Sequence, residues 1–381
     1  MDVLYERCCG LDIHERTVVA CLVVARAGGG RPQKEVRTFG TMTHDLLALA
    51  DWLEAYGVTH VAMESTGVYW KPLHNLLEDR FTLLLVNAQH IKAVPGRKTD
   101  VRDCEWIADL LRHGLLKPSF VPDRAQRELR ELVRYRSSLV QERTAAANRL
   151  RKTLEGANVK LASVASDILG RSGRAMLEAI IRGESDPTVL AQHARRQLRA
   201  KIPALERALA GCIGPHQRFL LAQHLAHVDF LDAAIERLAV EIAARLQPVE
   251  EVVERLQAIP GVGRRTAEVL VAEQGSGALR RGNPWLRAAL VEAAHAAARA
   301  KHTYLATQYR RLTGRRGPKK AAVAVARSII VIVYHLLARR SAYADLGTSY
   351  LNERDQQASE RRLVQRLEAL GYIVHLERPA A

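Results

Sequence analysis

Apolar and polar positions alternate with two different periods along this chain, and the change of period divides it. Residues 4–26 hold two apolar runs on either side of Asp12-Ile-His-Glu-Arg16, and the second, Thr17–Val24, is rich in β-branched residues. Both read as strands, with a turn at Gly28-Gly29-Gly30 and a third strand at Glu35–Phe39. Residues 44–56 space Leu46, Leu49, Trp52 and Leu53 as a helix does, and Val58–Met63 is a short, nearly continuous apolar strand running into Glu64. Tyr69–Leu77 reads as a helix, Phe81–Val86 as a buried strand and Asp100–Leu115 as a helix. This order predicts an α/β layer on a mixed central sheet.

From Arg124 to about Gln247 the period is almost wholly helical, with Arg127, Arg130 and Arg134 on one face and Leu129 and Leu132 on another. Leu220–Leu246 repeats apolar residues at the spacing of a long antiparallel or intermolecular coiled coil, and polar residues around Ser163–Pro187 mark the hairpin between long helices. Ile259-Pro-Gly-Val-Gly263 opens a third unit as a helix-hairpin-helix-like loop. A basic helical stretch, Arg280–Arg316, comes next, then the apolar helix Ala321–Leu337, a helix near Gln356–Leu370 and a short strand at Tyr372–Leu376. The expected organisation is therefore 1–122, 123–250, 251–345 and a charged tail 346–381.

Charge sharpens this division. The chain carries +16, but residues 1–122 hold 14 Lys and Arg against 15 Asp and Glu, while the rest holds 43 against 26. Such asymmetry fits cations held in one part and a polyanion in another. Five cysteines, odd in number and without CxxC spacing, argue against a disulfide framework or a zinc site and fit a reducing cytoplasm. No signal-peptide core precedes residue 10, and the apolar stretch 321–338 is interrupted by Arg327 and His335, so a buried helix is expected there and no membrane partner.

The chemistry is concentrated in four acids. Asp12 and Glu64 stand at strand ends, and Asp100 and Asp103 are spaced i, i+3 on one face of a helix. Hard divalent cations take oxygen ligands, and two such ions can activate an attacking oxygen and stabilise a leaving one. Taken alone, Asp100 reads better as a helix cap, and Asp103 also reads as a partner of a local Arg; together the four point to a metal-dependent nuclease site. His14 stands close enough to approach the same metal, with a satisfied surface histidine as the plainer reading. Gly261 and Gly263 would let backbone approach a phosphate, with Arg264 opening the helix behind them. Arg310, Arg311, Arg315, Arg316, Lys319 and Lys320 fall within eleven residues, with Arg280, Arg281 and Arg287 upstream, a density that favours nucleic acid over a merely solvated face.

The motif set Gly10-Leu-Asp-Ile-His14, Ala62-Met-Glu-Ser-Thr-Gly-Val-Tyr-Trp70, Asn87-Ala with Lys98-Thr-Asp-Val-Arg-Asp103, Ile259-Pro-Gly-Val-Gly263 and Gly282-Asn-Pro-Trp-Leu-Arg287 resembles the transposases of the insertion-sequence one-ten family, the bridge-RNA-guided DEDD recombinases. The resemblance implies an RNase H-like (RuvC-like) N-terminal domain in which Asp12, Glu64, Asp100 and Asp103 bind Mg²⁺ at a two-metal site. It further implies a coiled-coil region for assembly into a dimer or tetramer, and a mostly α C-terminal transposase domain whose serine attacks DNA. Donor and target DNA and a structured guide RNA from the element are the implied partners. One departure stands out: the stretch that carries the serine in the family is short here. Ala272–Gly282 bridges it directly, with Ser276 as its one serine, at a distance from Gly282-Asn-Pro-Trp that better matches a second, non-nucleophilic serine. Two rival readings remain: a junction-resolving endonuclease with the same acids, and a shortened nucleic-acid-binding member without the nucleophile.

Overall fold

A computed structural model describes residues 2–26, 30–65, 67–87, 103–274 and 283–375. The chain forms two compact units, Met1–Arg124 and a larger one comprising Ala125–Gln274 with Ala278–Ala381.

The first unit is built on one mixed five-stranded sheet. Its strands are β1 (Arg7–Ile13), β2 (Thr17–Val24), β3 (Gln33–Gly40), β4 (His60–Glu64) and β5 (Thr82–Val86), in the order β3-β2-β1-β4-β5. The first three pair antiparallel, while β4 and β5 extend the sheet in parallel with β1; Gly28 and Gly29 of the expected turn lie outside the described residues. A parallel neighbour requires a crossover, and helix α1 (Thr43–Ala55) provides the one between β3 and β4, as α2 (Trp70–Leu77) does between β4 and β5. Those two helices cover one face, over Cys9, Leu11, Ile13, Ala20, Val61 and Met63. The other face belongs to α3 (Asp103–Arg112), packed over Cys8, Cys21, Val23, Ala62 and Val86. Because both faces are covered, the central strands read as continuous apolar runs. The strand and helix order matches the expectation from the sequence.

The second unit is helical throughout its described residues. Two long helices, α4 (Arg124–Gly156) and α9 (Pro215–Leu246), lie antiparallel: Arg245 Nη1 donates to Glu128 Oε2 at 2.7 Å, and Arg143 pairs with Asp232 further along. Leu139, Ala146, Val228, Leu231 and Ile235 fill the seam between them. Their far ends enclose what was expected to be a polar hairpin and is instead a small helical cap with its own core. It consists of α5 (Leu161–Val164), α6 (Arg171–Arg182), α7 (Pro187–Ala191), a 3-10 turn at Arg196–Lys201 and α8 (Ile202–Leu209). Leu161, Ile168, Met176, Leu177, Ile180 and Leu205 close that core against Leu150, Leu154 and Leu221. The polar residues seen in the sequence are its outer face.

At the near ends, α10 (Glu250–Gln257), α11 (Arg264–Ala272), α12 (Pro284–Ala297), α13 (Tyr304–Arg316) and α14 (Pro318–Arg339) share one core with Leu129, Val133, Ile242 and Leu246 of the long helices. Apolar side chains on both sides of residue 250 are thus buried together. Helix α14 is long and apolar enough to cross a membrane by composition alone, but Val325, Ala326, Ile329, Val333 and Leu336 pack into this core. Helix α15 (Tyr350–Glu368) follows. Residues 372–375 of the strand expected at 372–376 are not in a strand: Ile373 is 88% exposed, and among the described residues no strand lies alongside to supply hydrogen bonds; residue 376 lies outside the described residues.

Candidate functional site

The acids at the strand ends are brought together by the register of the sheet. In the parallel ladder Gly10 stands beside Ala62 and Leu11 beside Met63. One step further along each strand lie Asp12 and Glu64, on backbones about 4.8 Å apart. Side chains alternate between faces, so Asp12 shares the face of Cys8 and Gly10, and Glu64 that of Ala62: both lie on the α3 side.

Helix α3 runs against the direction of β1. The amides of Leu4 and Tyr5 donate to the Arg112 carbonyl at the helix end, Cys8 Sγ lies 3.8 Å from the Ala108 carbonyl, and Gly10 abuts the backbone of Cys104 and Ala108. The start of α3, with Asp103 in its first turn, therefore faces the same sheet edge as Asp12 and Glu64. Gly10 sets how closely this helix can approach. A Cβ there would fall well inside 3 Å of the Cys104 carbonyl oxygen and the Ala108 nitrogen.

The three described acids differ in setting. Asp12 keeps 21% of its side chain exposed, and its Oδ2 lies 3.2 Å from His14 Nε2 on the β1–β2 turn. Glu64 is half-buried and Asp103 is exposed. Asp109, lower on α3, is taken up by Lys34 of β3 at 2.6 Å. Asp100 lies outside the described residues. Among the described residues no three His, Cys, Asp or Glu side chains stand close enough to cage an ion on their own. Mg²⁺ does not ask for such a cage, since it is held by one or two carboxylates, with water and substrate phosphates completing the octahedron. Asp12 and Glu64, at the ends of adjacent strands, and Asp103, exposed at a helix start, are oxygen donors of the kind such an ion takes.

The buried thiols beneath α3 take no part. Burial pushes Cys8 and Cys21 up to about 12, with nearby Arg112 partly offsetting the effect at Cys8 and the Cys104 thiol adding to it at Cys21. Cys9, fully buried, is raised as well.

In the second unit several of the basic residues are held by acids. Arg264 is engaged by Glu250 Oε2 at 2.8 Å and Glu268 Oε1 at 2.9 Å. Gly261, at φ +87°, is needed for packing: a Cβ would lie 2.5 Å from the Ala297 nitrogen and 2.8 Å from its Cβ. That explains this glycine without a phosphate. Gly263, by contrast, is open and leads into α11 with no side-chain cap.

Arg130 and Arg134, on the face of α4 that the sequence shows as basic, converge with Asn283 on the fully buried carboxylate of Glu273. Arg130 and Gln126 also donate to the carbonyls of Ala272 and Gln274 at the end of α11. Glu273 thus ties the two ends of the 274–283 connection together. The sequence did not single it out, because its partners on α4 lie about 140 positions away. Ser276, Arg280 and Arg281 lie within that connection and outside the described residues.

Arg287 and Lys319 line one concavity of about 760 Å³ between α12 and α14, with His295, Arg299 and a single acid, Glu292. Arg310 and Arg311 line another of about 670 Å³ with Lys301 and His302. Arg315, Arg316 and Lys320 are exposed. Arg299 and Lys301 were missed in the sequence because they fall between the two dense basic clusters.

A mixed five-stranded sheet followed by a mostly helical body is consistent with an RNase H-like N-terminal domain. Residues 9–159 match a family model described as Transposase, the DEDD transposase domain of the insertion-sequence one-ten (IS110) family. That match runs from within β1 to just past the end of α4. The chain is also 26% identical, over 319 aligned residues covering 74% of this chain and 85% of the other, to a probable family 20 transposase of Pseudomonas aeruginosa.

Proposed function

We propose that this protein is a DNA transposase or recombinase that mobilises its own insertion sequence by cleaving and rejoining DNA strands, with a structured RNA guiding the choice of sites. The observation that carries the reading is the juxtaposition of Asp12 and Glu64 on adjacent strand ends, on the face where Asp103 opens α3. Bound Mg²⁺ would supply Lewis-acid stabilisation of charge on phosphoryl oxygens there. Asp12, Glu64 and Asp103, with Asp100, would hold it.

The chain's own residues do the rest. His14, within hydrogen-bonding distance of Asp12, orients that carboxylate and offers a ring nitrogen for a proton at the solvent edge. Gly10 and the buried face of α3 keep the acids in register. Arg287, Arg299 and Lys319, and separately Arg310, Arg311 and Lys301, grip phosphates without reading bases. Sequence choice is then left to pairing with the RNA, by analogy with other guided systems. Assembly as a dimer or tetramer, through the outer surface of the long helices, completes the proposal.

A test mixes the purified protein with RNA transcribed from the non-coding end of its element, a circular donor and a target plasmid. Recombinant junctions that require Mg²⁺ and are lost in Asp12→Ala and Glu64→Gln support the reading; full activity of Asp12→Ala would contradict the role of the acids. A second reading, binding without strand transfer, is favoured by the short 274–283 connection. A covalent protein–DNA adduct that Ser276→Ala abolishes would exclude it.

A further inference from the structure

The helical cap at the far ends of α4 and α9 carries a cationic concavity that no residue of the proposed site explains. It measures about 860 Å³ and is lined by Arg171, Arg195, Arg196 and Lys201, with Ser166 and Ser172 between them. The four cations are exposed. No hydrogen bond or ion pair engages the guanidinium of Arg171, Arg195 or Arg196 among the described residues, and Lys201 makes one long contact, 3.4 Å, to the Val164 carbonyl. The one acid in the lining, Asp167, is folded back on its own turn, where Oδ1 accepts from the Leu169 amide at 3.0 Å.

A second feature converges on the same place. The twelve-residue helix α6 begins at Arg171 without a side-chain cap, so its first amides are free, and Gly170, Arg171 and Ser172 all line the concavity. Free amides and the positive end of a helix dipole add to the four side chains in favouring an anion. Apolar lining is limited to Val164, Ala165 and Leu198, with no aromatic ring on which a base could stack. The surface is therefore suited to a sugar-phosphate backbone and not to a base or a small organic ligand.

We infer that the cap is a second nucleic-acid grip, in which Arg171, Arg195, Arg196 and Lys201 hold consecutive phosphates of a strand. The inference rests on the reading that the protein handles nucleic acid, but it needs neither cleavage nor the acids of the first unit. The chemistry recognised is a phosphodiester chain, and RNA and DNA both present it. In chain order Arg171 is separated from Arg195, Arg196 and Lys201 by α6 and α7, and the fold brings it beside them.

The test uses the full chain with two fluorescent probes, a 30-nucleotide single-stranded RNA and a 30-base-pair DNA, in anisotropy titrations across a salt series. The variant combines Arg171→Ser, Arg195→Ser, Arg196→Asn and Lys201→Gln; Asn suits position 196, where φ is +52°. The slope of log affinity on log salt is expected to become shallower by about 2.8–3.6, since each of the four phosphates no longer neutralised removes roughly 0.7–0.9. Weakening confined to the RNA assigns the grip to RNA, weakening confined to the duplex assigns it to DNA, and weakening on both assigns it to either backbone. The single charge reversal Arg195→Glu, read with the same probes, should reduce binding in the same arm, and an unchanged thermal midpoint shows that the fold is retained. Unaltered slopes for both probes overturn the inference. So does an equal effect of Arg354, Arg361, Arg362 and Arg366→Ser on α15, because net charge alone then accounts for binding. The titrations are run without divalent cation and read no strand cleavage, so failure of the cleavage reading and failure of the grip are separately visible.

Discussion

Gly10→Ala is the smallest change that separates the sheet from the helix carrying Asp103. The added Cβ would meet backbone, not a side chain that could swing aside. It would fall well inside 3 Å of the Cys104 carbonyl oxygen and the Ala108 nitrogen, and 3.0 Å from Ala108 Cα. Comfortable contact lies at about 3.5 Å, so α3 must withdraw by the order of 1 Å. Overpacking of this kind costs about 1–3 kcal/mol, which for a unit of this size lowers its midpoint by about 4–12 °C. The same withdrawal moves Asp103 away from Asp12 and Glu64, and a misplacement of about 1 Å can cost on the order of 100-fold in rate. The assay pairs a melting curve with Mg²⁺-dependent strand cleavage. Gly314→Ala is the matched control, since nothing lies within 4 Å of a Cβ there. If Gly10→Ala melts and cleaves like that control, the close approach of α3 is not what holds the acids in place.

Other outcomes follow from the second unit and the thiols. Arg136 and Glu268 form an ion pair at 2.5 Å with 3% of each side chain exposed; Glu268→Ala strands the arginine and should cost about 3–5 kcal/mol, visible as a midpoint lowered by roughly 10 °C, with Arg136→Met/Glu268→Leu recovering most of it. For Glu273, burial opposes ionisation, but hydrogen bonds from Arg134 and Asn283 and the charges of Arg134 and Arg130 outweigh it and hold the carboxyl below its usual range. A lowered folded-state value stabilises at pH above about 4.3, the unfolded value, and that contribution is lost as pH falls further; the acid limb of a stability–pH curve should therefore flatten in Glu273→Gln. Maleimide at pH 8 should label Cys212 quickly and Cys8, Cys9, Cys21 and Cys104 only on unfolding, since those four are buried. Mass spectrometry showing a second fast thiol would contradict the packing beneath α3.

Local periodicity in the sequence was enough to locate the sheet, its helices and the acids at the strand ends, because strand alternation and the position of an acid after an apolar run are both short-range signals. Long-range pairing was not legible. Arg130 and Arg134 look like a free basic face on α4, yet their partner is Glu273, and Arg264 looks available until Glu250, fourteen positions earlier, is found beside it. Gly261 suggested close approach to a phosphate, whereas the neighbour it admits is the backbone of α12. The cap between the long helices was hidden because its polar outer face interrupts the apolar positions that build its core. A signal for its cationic concavity was nonetheless present, in Arg195, Arg196, Arg199 and Lys201 within seven residues.

The central claim is that Asp12 and Glu64 hold a divalent cation together. Mn²⁺ titration of the full chain followed by electron paramagnetic resonance addresses it without DNA, RNA or an intact serine. Saturable Mn²⁺ binding that Mg²⁺ displaces, and that Glu64→Gln and Asp12→Ala each weaken by about tenfold or more, the equivalent of roughly 1.4 kcal/mol, is the result the account predicts. Binding that survives both substitutions unchanged would contradict it.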